Sequence, residues 1–487
     1  MARTVVKMPN VFIRTEPSHW FWGTLTLLAV TRLIAVTLYS PTGFPDRLGY
    51  LDYSDIILSG TQWLHTLEQS HLPTTSFRAM GYPIILTGMR IITGGAFDTA
   101  IQVLQCGATL LSCALLFKAL RALLHSDQGA CIAVLGFGLS VNLAYELSIL
   151  PDAFSIAAWI AIVATGLIHW MLRRRLSLWV AFGLGLLGLY IVMARGNGLH
   201  LLLLALPILW LACLHTGASH SKRLGLFILP LLPGLIAYQL VSSWNEYRTG
   251  ERFFTTGGQI ALVQPVFAME RLGAMPFSGT DDLSQLYRQR APERLYEQIY
   301  EVNKALYTEF SMSPNQIAQA NIALYLRTVR THPGSFILMF FDNFDDKFAM
   351  GLVNPAFGLH EAHRLATGAR IFPGFSSIVK GKQPNGLGNY LFAGLYIFGM
   401  VPSILLFTAA ILLTPFRVIG RIRHIGLDRE TLAILTLWTV CLAVLAYYCA
   451  LFMELRYVIM TSPFLIAIGY WSLSRRSRIH GTVGTTT

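Results

Sequence analysis

Several charged side chains stand in short turns at the edges of long apolar stretches, where a charge is costly and so needs a reason to be present. Asp46 lies in Pro45-Asp46-Arg47-Leu48-Gly49-Tyr50, and Asp152 follows Leu150-Pro151. Arg78 opens Arg78-Ala79-Met80-Gly81-Tyr82-Pro83, Arg195 sits in Ala194-Arg195-Gly196-Asn197-Gly198, and Glu454-Leu455-Arg456-Tyr457 holds an acid and a base together. With Asp52 and Asp55 these charges could converge on one cavity. Guanidinium is a planar, permanently charged fork suited to phosphate, and two acids at span ends raise a catalytic option. Plainer roles exist for each: an N-cap for Asp46 and Asp152, and snorkelling to lipid headgroups for Arg78, Arg195 and Arg456.

The surrounding elements must be membrane helices. Of 487 residues, 54% are hydrophobic and 13% charged, and the mean hydropathy is +0.53. Soluble domains carry about 25% charged residues, so a water-soluble enzyme and a disordered chain are both excluded. Thirty-seven Lys and Arg against 25 Asp and Glu leave a net charge of +12, but these basic residues sit in loops rather than in a nucleic-acid-binding patch. Cys106, Cys113, Cys131, Cys213, Cys441 and Cys449 all fall in apolar runs, as small core residues do, with no metal or disulfide spacing.

About ten spans are expected, at about 20–39, 99–124, 130–149, 153–172, 178–194, 198–214, 223–243, 388–414, 431–452 and 457–473. Arg32 interrupts the first and no small-x-small site follows it, so it reads as an anchor rather than a cleaved signal. Arg32 itself is expected to serve as a structural partner. Basic loops at Arg3/Lys7/Arg14, Lys118/Arg121, Arg173-Arg174-Arg175, Lys222/Arg223, Arg417/Arg421/Arg423/Arg429 and Arg475/Arg476/Arg478 alternate with neutral ones. That alternation puts the basic set in the cytoplasm and 41–98, the turns at Asp152 and Arg195, 244–387 and Glu454 outside. The chain thus divides into a membrane module at 1–243 with its first outer loop at 41–98, an external capping region at 244–387, and C-terminal membrane helices at 388–487.

Within the first outer loop, Tyr50, Tyr53, Ile56, Ile57 and Leu58, then Tyr82, Ile84, Ile85, Leu86, Met89, Ile91 and Ile92, suggest two interfacial helices. Helix-like stretches are expected around 281–307 and 314–331. The run Phe336-Ile337-Leu338-Met339-Phe340-Phe341 precedes Asp342, Asp345 and Asp346, and it reads as an interfacial helix because a span there would invert the arginine-rich loop that follows.

These pieces, in this order, resemble the GT-C superfamily of integral-membrane glycosyltransferases, in the branch of protein O-mannosyltransferases and the aminoarabinose and lipopolysaccharide-sugar transferases. The matching residues are Asp46 with Tyr50 and Ser54 in the first outer loop, Arg78-Ala79-Met80-Gly81-Tyr82-Pro83, Asp152 at a later span start, the Arg195-Gly196-Asn197 turn, His332-Pro333-Gly334, and Glu454-Leu455-Arg456-Tyr457 with Pro463 beyond. Met80 stands where the family has proline, and Arg47 follows Asp46 where relatives carry a second acid, so their metal-binding set does not carry over.

The resemblance implies an all-α polytopic fold and a sugar donor on a polyprenyl phosphate. It also implies a glycan, lipid or protein hydroxyl as acceptor, and inversion at the sugar carbon. By the same resemblance Asp46 is the general base, its pKa raised by burial and by Asp152 beside it. Tyr50, Arg78, Tyr82, Arg195, Glu454 and Arg456 bind substrate. No resident metal site is assigned, and a divalent cation, Mg2+ or Mn2+, is the one candidate cofactor. The expected home is a bacterial inner membrane with the site facing the periplasm, among membrane lipids and without nucleic acid. A transporter or lipid flippase, and an O-antigen ligase-like enzyme, are the competing readings; transporters place ionisable groups near the bilayer midplane, whereas these lie at one edge.

Overall fold

The computed structural model describes residues 18–38, 46–60, 72–140, 142–214, 219–294, 296–344, 402–403, 405–451 and 455–474. These residues are helical, joined by turns. Four helical segments among them are long and apolar enough to cross a membrane by length and composition: His19–Thr37, Gly81–Leu124, Asp152–Met171 and Arg429–Ala450. At about 1.5 Å per residue, 20 residues span the roughly 30 Å hydrocarbon core. The Asp152–Met171 helix is the centre of the bundle, 72% buried, while His19–Thr37 is only 28% buried and lines the periphery. Trp159 on the central helix is fully enclosed and meets Phe464 edge to face at 5.9 Å.

Several expected spans are broken. The 130–149 stretch is a helix to Gly138 and then a separate short helix, Asn142–Glu146. The break lets Arg32 donate to Gly138 O at 3.1 Å and fork onto Glu146 at 2.7 and 2.6 Å, with Asn142 adding a bond at 2.7 Å. Arg32 and Glu146 are 2% and 0% exposed. A buried pair survives only when its remaining bonding capacity is met, and this one is, so Arg32 is a strut as its sequence position suggests. The 198–214 stretch divides at Ala205, ahead of Pro207, which cannot supply a helical N–H. Pro230 and Pro233 accompany a 47° bend between His220–Ile228 and Leu232–Thr249. Leu405–Leu412 and Thr414–Ile425 meet at 53°, and residues 388–401 of that expected span lie outside the described residues.

The ends of the Arg429–Ala450 helix have distinct partners. Asp428 caps its start at 2.8 Å through Thr431 N, and Arg429 and Trp170 exchange two bonds of 3.1 Å. At its other end, about 33 Å away, the carbonyls of Cys449 and Ala450 accept from Asn343 and Tyr325 at 3.0 and 2.5 Å. The arginine-rich turns and the 257–343 helices therefore occupy opposite ends of one helix. Those helices, among them Asp282–Arg290, Tyr296–Thr308 and Pro314–Thr331, share a hydrophobic core of their own, built on Phe267, Phe277, Tyr287, Val302, Ile317 and Leu324. Leu72, from the first loop, is buried in that same core. Pro333–Asn343 is a helix of 11 residues among the described residues. All six cysteines are buried and unbridged.

Candidate active site

The Asp152–Met171 helix begins where Leu178–Ala194 ends, so Asp152 and Arg195 come to one end of the bundle from antiparallel neighbours. Asp152 is the first helical residue, but its carboxylate does not cap the helix: Pro151 holds the cap position without a side-chain bond. The carboxylate instead receives Arg195 Nη2. Both groups are almost fully buried, at 1% and 6% exposure.

Asp46, likewise the first residue of Asp46–Ser59, takes two arginines, one on each oxygen. Arg78 Nη2 donates to Oδ1 at 3.1 Å and Arg456 Nη1 to Oδ2 at 2.8 Å. The same Arg456 nitrogen is 3.9 Å from Asp152 Oδ2, which links the two acids through one cation. Burial pushes the Asp46 carboxyl up, but Arg78 and then Arg456 outweigh it and hold it well below the usual carboxylate range. That is opposite to the elevation expected from a neighbouring acid, because the neighbour reaches Asp46 only through a guanidinium.

Aromatic rings fix the arginines from behind. Arg78 lies over Tyr50 at 4.9 Å, and Arg195 and Arg456 over Tyr457 at 4.5 and 5.1 Å. Tyr457 stacks on Tyr448 at 5.2 Å, whose hydroxyl accepts from Asn197 at 2.7 Å. Arg78 thus faces inward at 12% exposure, which is not the posture of a snorkelling arginine. Tyr82 meets Tyr50 edge to face at 5.4 Å and donates to Gln105 at 2.9 Å; it braces the site from behind and does not line the cavity.

These groups surround a cavity of about 450 Å³. Asp46, Tyr50, Arg78, Asp152, Arg195 and Arg456, all singled out in the sequence, line it together. Asp55 is drawn away to Arg90 at 2.5 Å, and Glu454 lies outside the described residues. Sequence reasoning missed the rest of the lining, which includes His200, Thr255, Gly257, Gly258, Gln259, Tyr300 and Tyr325. The Thr255-Thr256-Gly257-Gly258-Gln259 run was its one local signal. Arg195 Nη1 is buried without a hydrogen-bond partner among the described residues, so the site holds a donor in want of an acceptor. For a divalent cation the fit is poor: both acids are taken by arginine, and among the described residues no three His, Cys, Asp or Glu side chains gather.

No family model and no curated protein matches this chain. Solved structures similar to it include the Archaeoglobus fulgidus oligosaccharyltransferase tethered with an acceptor peptide, at 12% identity and TM-score 0.47, covering 93% of this chain and 50% of that one. The AglB oligosaccharyltransferase of the same organism, in complex with an inhibitory peptide and a dolichol-phosphate, has 14% identity and TM-score 0.43 with coverage of 93% and 50%. ArnT from Cupriavidus metallidurans bound to undecaprenyl phosphate has 14% identity and TM-score 0.33, with coverage of 94% and 78%. The chain spans about half the length of the oligosaccharyltransferase chains it matches. At these TM-scores the likeness carries no weight for activity, which has to be argued from the cavity.

Proposed function

We propose that this protein is a GT-C-type membrane glycosyltransferase that moves a sugar from a polyprenyl phosphate to an acceptor hydroxyl with inversion. The observation that carries this reading is the meeting of three guanidinium groups and two carboxylates around one cavity at an end of the helix bundle. A phosphate entering there competes with Asp46 for Arg78 and Arg456, and Arg195 Nη1 offers a further donor. Asp46, released from its cations, becomes a stronger base. It takes the acceptor's proton as that oxygen attacks the anomeric carbon on the face opposite the phosphate, the bond to the phosphate oxygen breaks, and the arginines hold the departing lipid phosphate.

In this reading the cavity faces the periplasm of a bacterial inner membrane, the 244–387 region caps it, and the membrane segments at 1–243 and 388–487 flank it. Support comes from the arginine-rich turns gathering at the other end of the Arg429–Ala450 helix. The test is lipid binding by the full chain in nanodiscs. Undecaprenyl phosphate should bind and raise the Tm, undecaprenol should not, and the double variant Arg78→Gln/Arg456→Gln should lose the difference. Equal binding of phosphate and alcohol by the wild type would refute the reading.

A further inference from the structure

The cavity lining is of two chemical kinds. One set of lining residues holds the charges, and another, Thr255, Gly257, Gly258, Gln259, Tyr300 and Tyr325, carries none. Within the second set Gln259 Oε1 is buried with no hydrogen-bond partner among the described residues. A side-chain amide oxygen cut off from both water and protein is costly, unless a bound molecule supplies an O–H or N–H.

Gln259 is also held in register with the arginines. Thr256 N and Oγ1 donate to Ser76 O at 3.0 and 3.1 Å, and Arg248 grips Thr75 through its hydroxyl and carbonyl at 2.7 Å each. A Cβ on Gly257 would lie 2.7 Å from Phe77 O, and one on Gly196 would lie 2.6 Å from Thr255 Oγ1. The 255–259 turn therefore rests directly on the two turns that carry Arg78 and Arg195.

The charged set bears on what the neutral set can accept. Three guanidinium charges against two carboxylates leave one positive charge among the described lining residues. A lipid–phosphate–sugar diester carries one negative charge, which the described lining charges balance when the sugar brings none of its own.

Building on the glycosyl-transfer reading, we propose that Gln259 reads the transferred sugar, and that this sugar is an uncharged, hydroxyl-bearing ring. Its amide oxygen accepts from a ring hydroxyl while the arginines hold the phosphate carried on the anomeric carbon. Phosphate affinity and sugar preference are then separate properties of different lining residues.

The experiment measures Kd in nanodiscs for undecaprenyl phosphate, its neutral glucosyl and mannosyl diesters, and a 4-amino-4-deoxyarabinosyl diester. The wild type should bind at least one neutral diester about 10-fold or more tightly than the sugar-free lipid, and more tightly than the amino-sugar diester. Gln259→Leu should erase that margin and leave sugar-free binding unchanged. Gln259→Glu, nearly isosteric and useful should the leucine variant fail to fold, should move preference toward the amino sugar. Normal binding of undecaprenyl phosphate with a margin that neither variant moves, or a wild-type preference for the amino sugar, would overturn this inference and leave the glycosyl-transfer reading intact. Absence of undecaprenyl phosphate binding by the wild type would overturn both.

Discussion

Arg456 donates to Asp46 at 2.8 Å across 410 positions of chain. That single bond ties the Leu455–Val458 helix to the first polar turn, and after Arg78 it helps hold down the pKa of the carboxylate on which the proposed chemistry depends. Arg78 on the other oxygen completes the clamp.

Asp46→Asn should separate the two duties of this residue. The amide keeps the shape but leaves Arg78 and Arg456 without their counter-charge. Undecaprenyl phosphate should then bind more tightly, by about 10-fold or less for the loss of one partly screened competing carboxylate, while sugar transfer falls by about 100-fold or more with the general base gone. Loss of lipid binding together with transfer would make Asp46 an organiser of the arginines and not a base.

The depressed pKa of Asp46 sets a sign for pH dependence. A carboxyl held below its ordinary value contributes stability above the unfolded pKa, about 3.9, and that contribution disappears as pH falls through the folded value. The free protein should therefore show no Asp46 titration between pH 5 and 8. In that window kcat/KM, which reports the free enzyme, should lack an acid limb assignable to Asp46, whereas kcat, which reports the loaded state, should acquire one as phosphate takes the arginines. A wild-type acid inflection in kcat/KM near 6 that disappears in Asp46→Asn would contradict this.

Arg78→Lys keeps the charge and should still be damaging. An ammonium cannot offer two parallel bonds to phosphate oxygens, nor lie flat over Tyr50 as the guanidinium does at 4.9 Å. Undecaprenyl phosphate affinity is expected to fall about 10-fold at unchanged protein level in the membrane. Headgroup snorkelling would tolerate lysine, so an unaffected variant restores that plainer role.

Gly257→Ala should disturb the site through packing alone. Its Cβ would press on the Phe77 carbonyl, next to Arg78, and a backbone atom cannot swing aside as a side chain can. Gly225→Ala has open space around it and serves as the control. Reduced undecaprenyl phosphate affinity in the first and none in the second is the expected result; equal behaviour would show that the 255–259 turn does not set the position of Arg78.

Orientation can be read from single cysteines, because all six native thiols are buried and give a quiet background. Arg290→Cys, at a side chain 45% exposed, should react with an impermeant maleimide added from outside, and Gly420→Cys should not. The reverse pattern would place the cavity in the cytoplasm.

The sequence by itself determined the solvent and much of the chemistry. A chain with 13% charged residues can fold only in a membrane, and the charges left at span edges are few enough that Asp46, Arg78, Asp152, Arg195 and Arg456 stand out by the cost of keeping them there. Arg32 was legible as a strut for the same reason, although its partner Glu146 was not. Tertiary structure decided who pairs with whom. Arg456 meets Asp46, and Asp152 serves Arg195 and not its own helix, because pairing over hundreds of residues depends on how helices pack, and periodicity carries no trace of that. The direction of the Asp46 shift followed from this pairing: two cations outweigh the burial that alone would have raised it. The neutral lining with Gln259 was invisible for a different reason. It comes from a polar segment with ordinary composition, and only its seating on Phe77 and Gly196 brings it to the cavity.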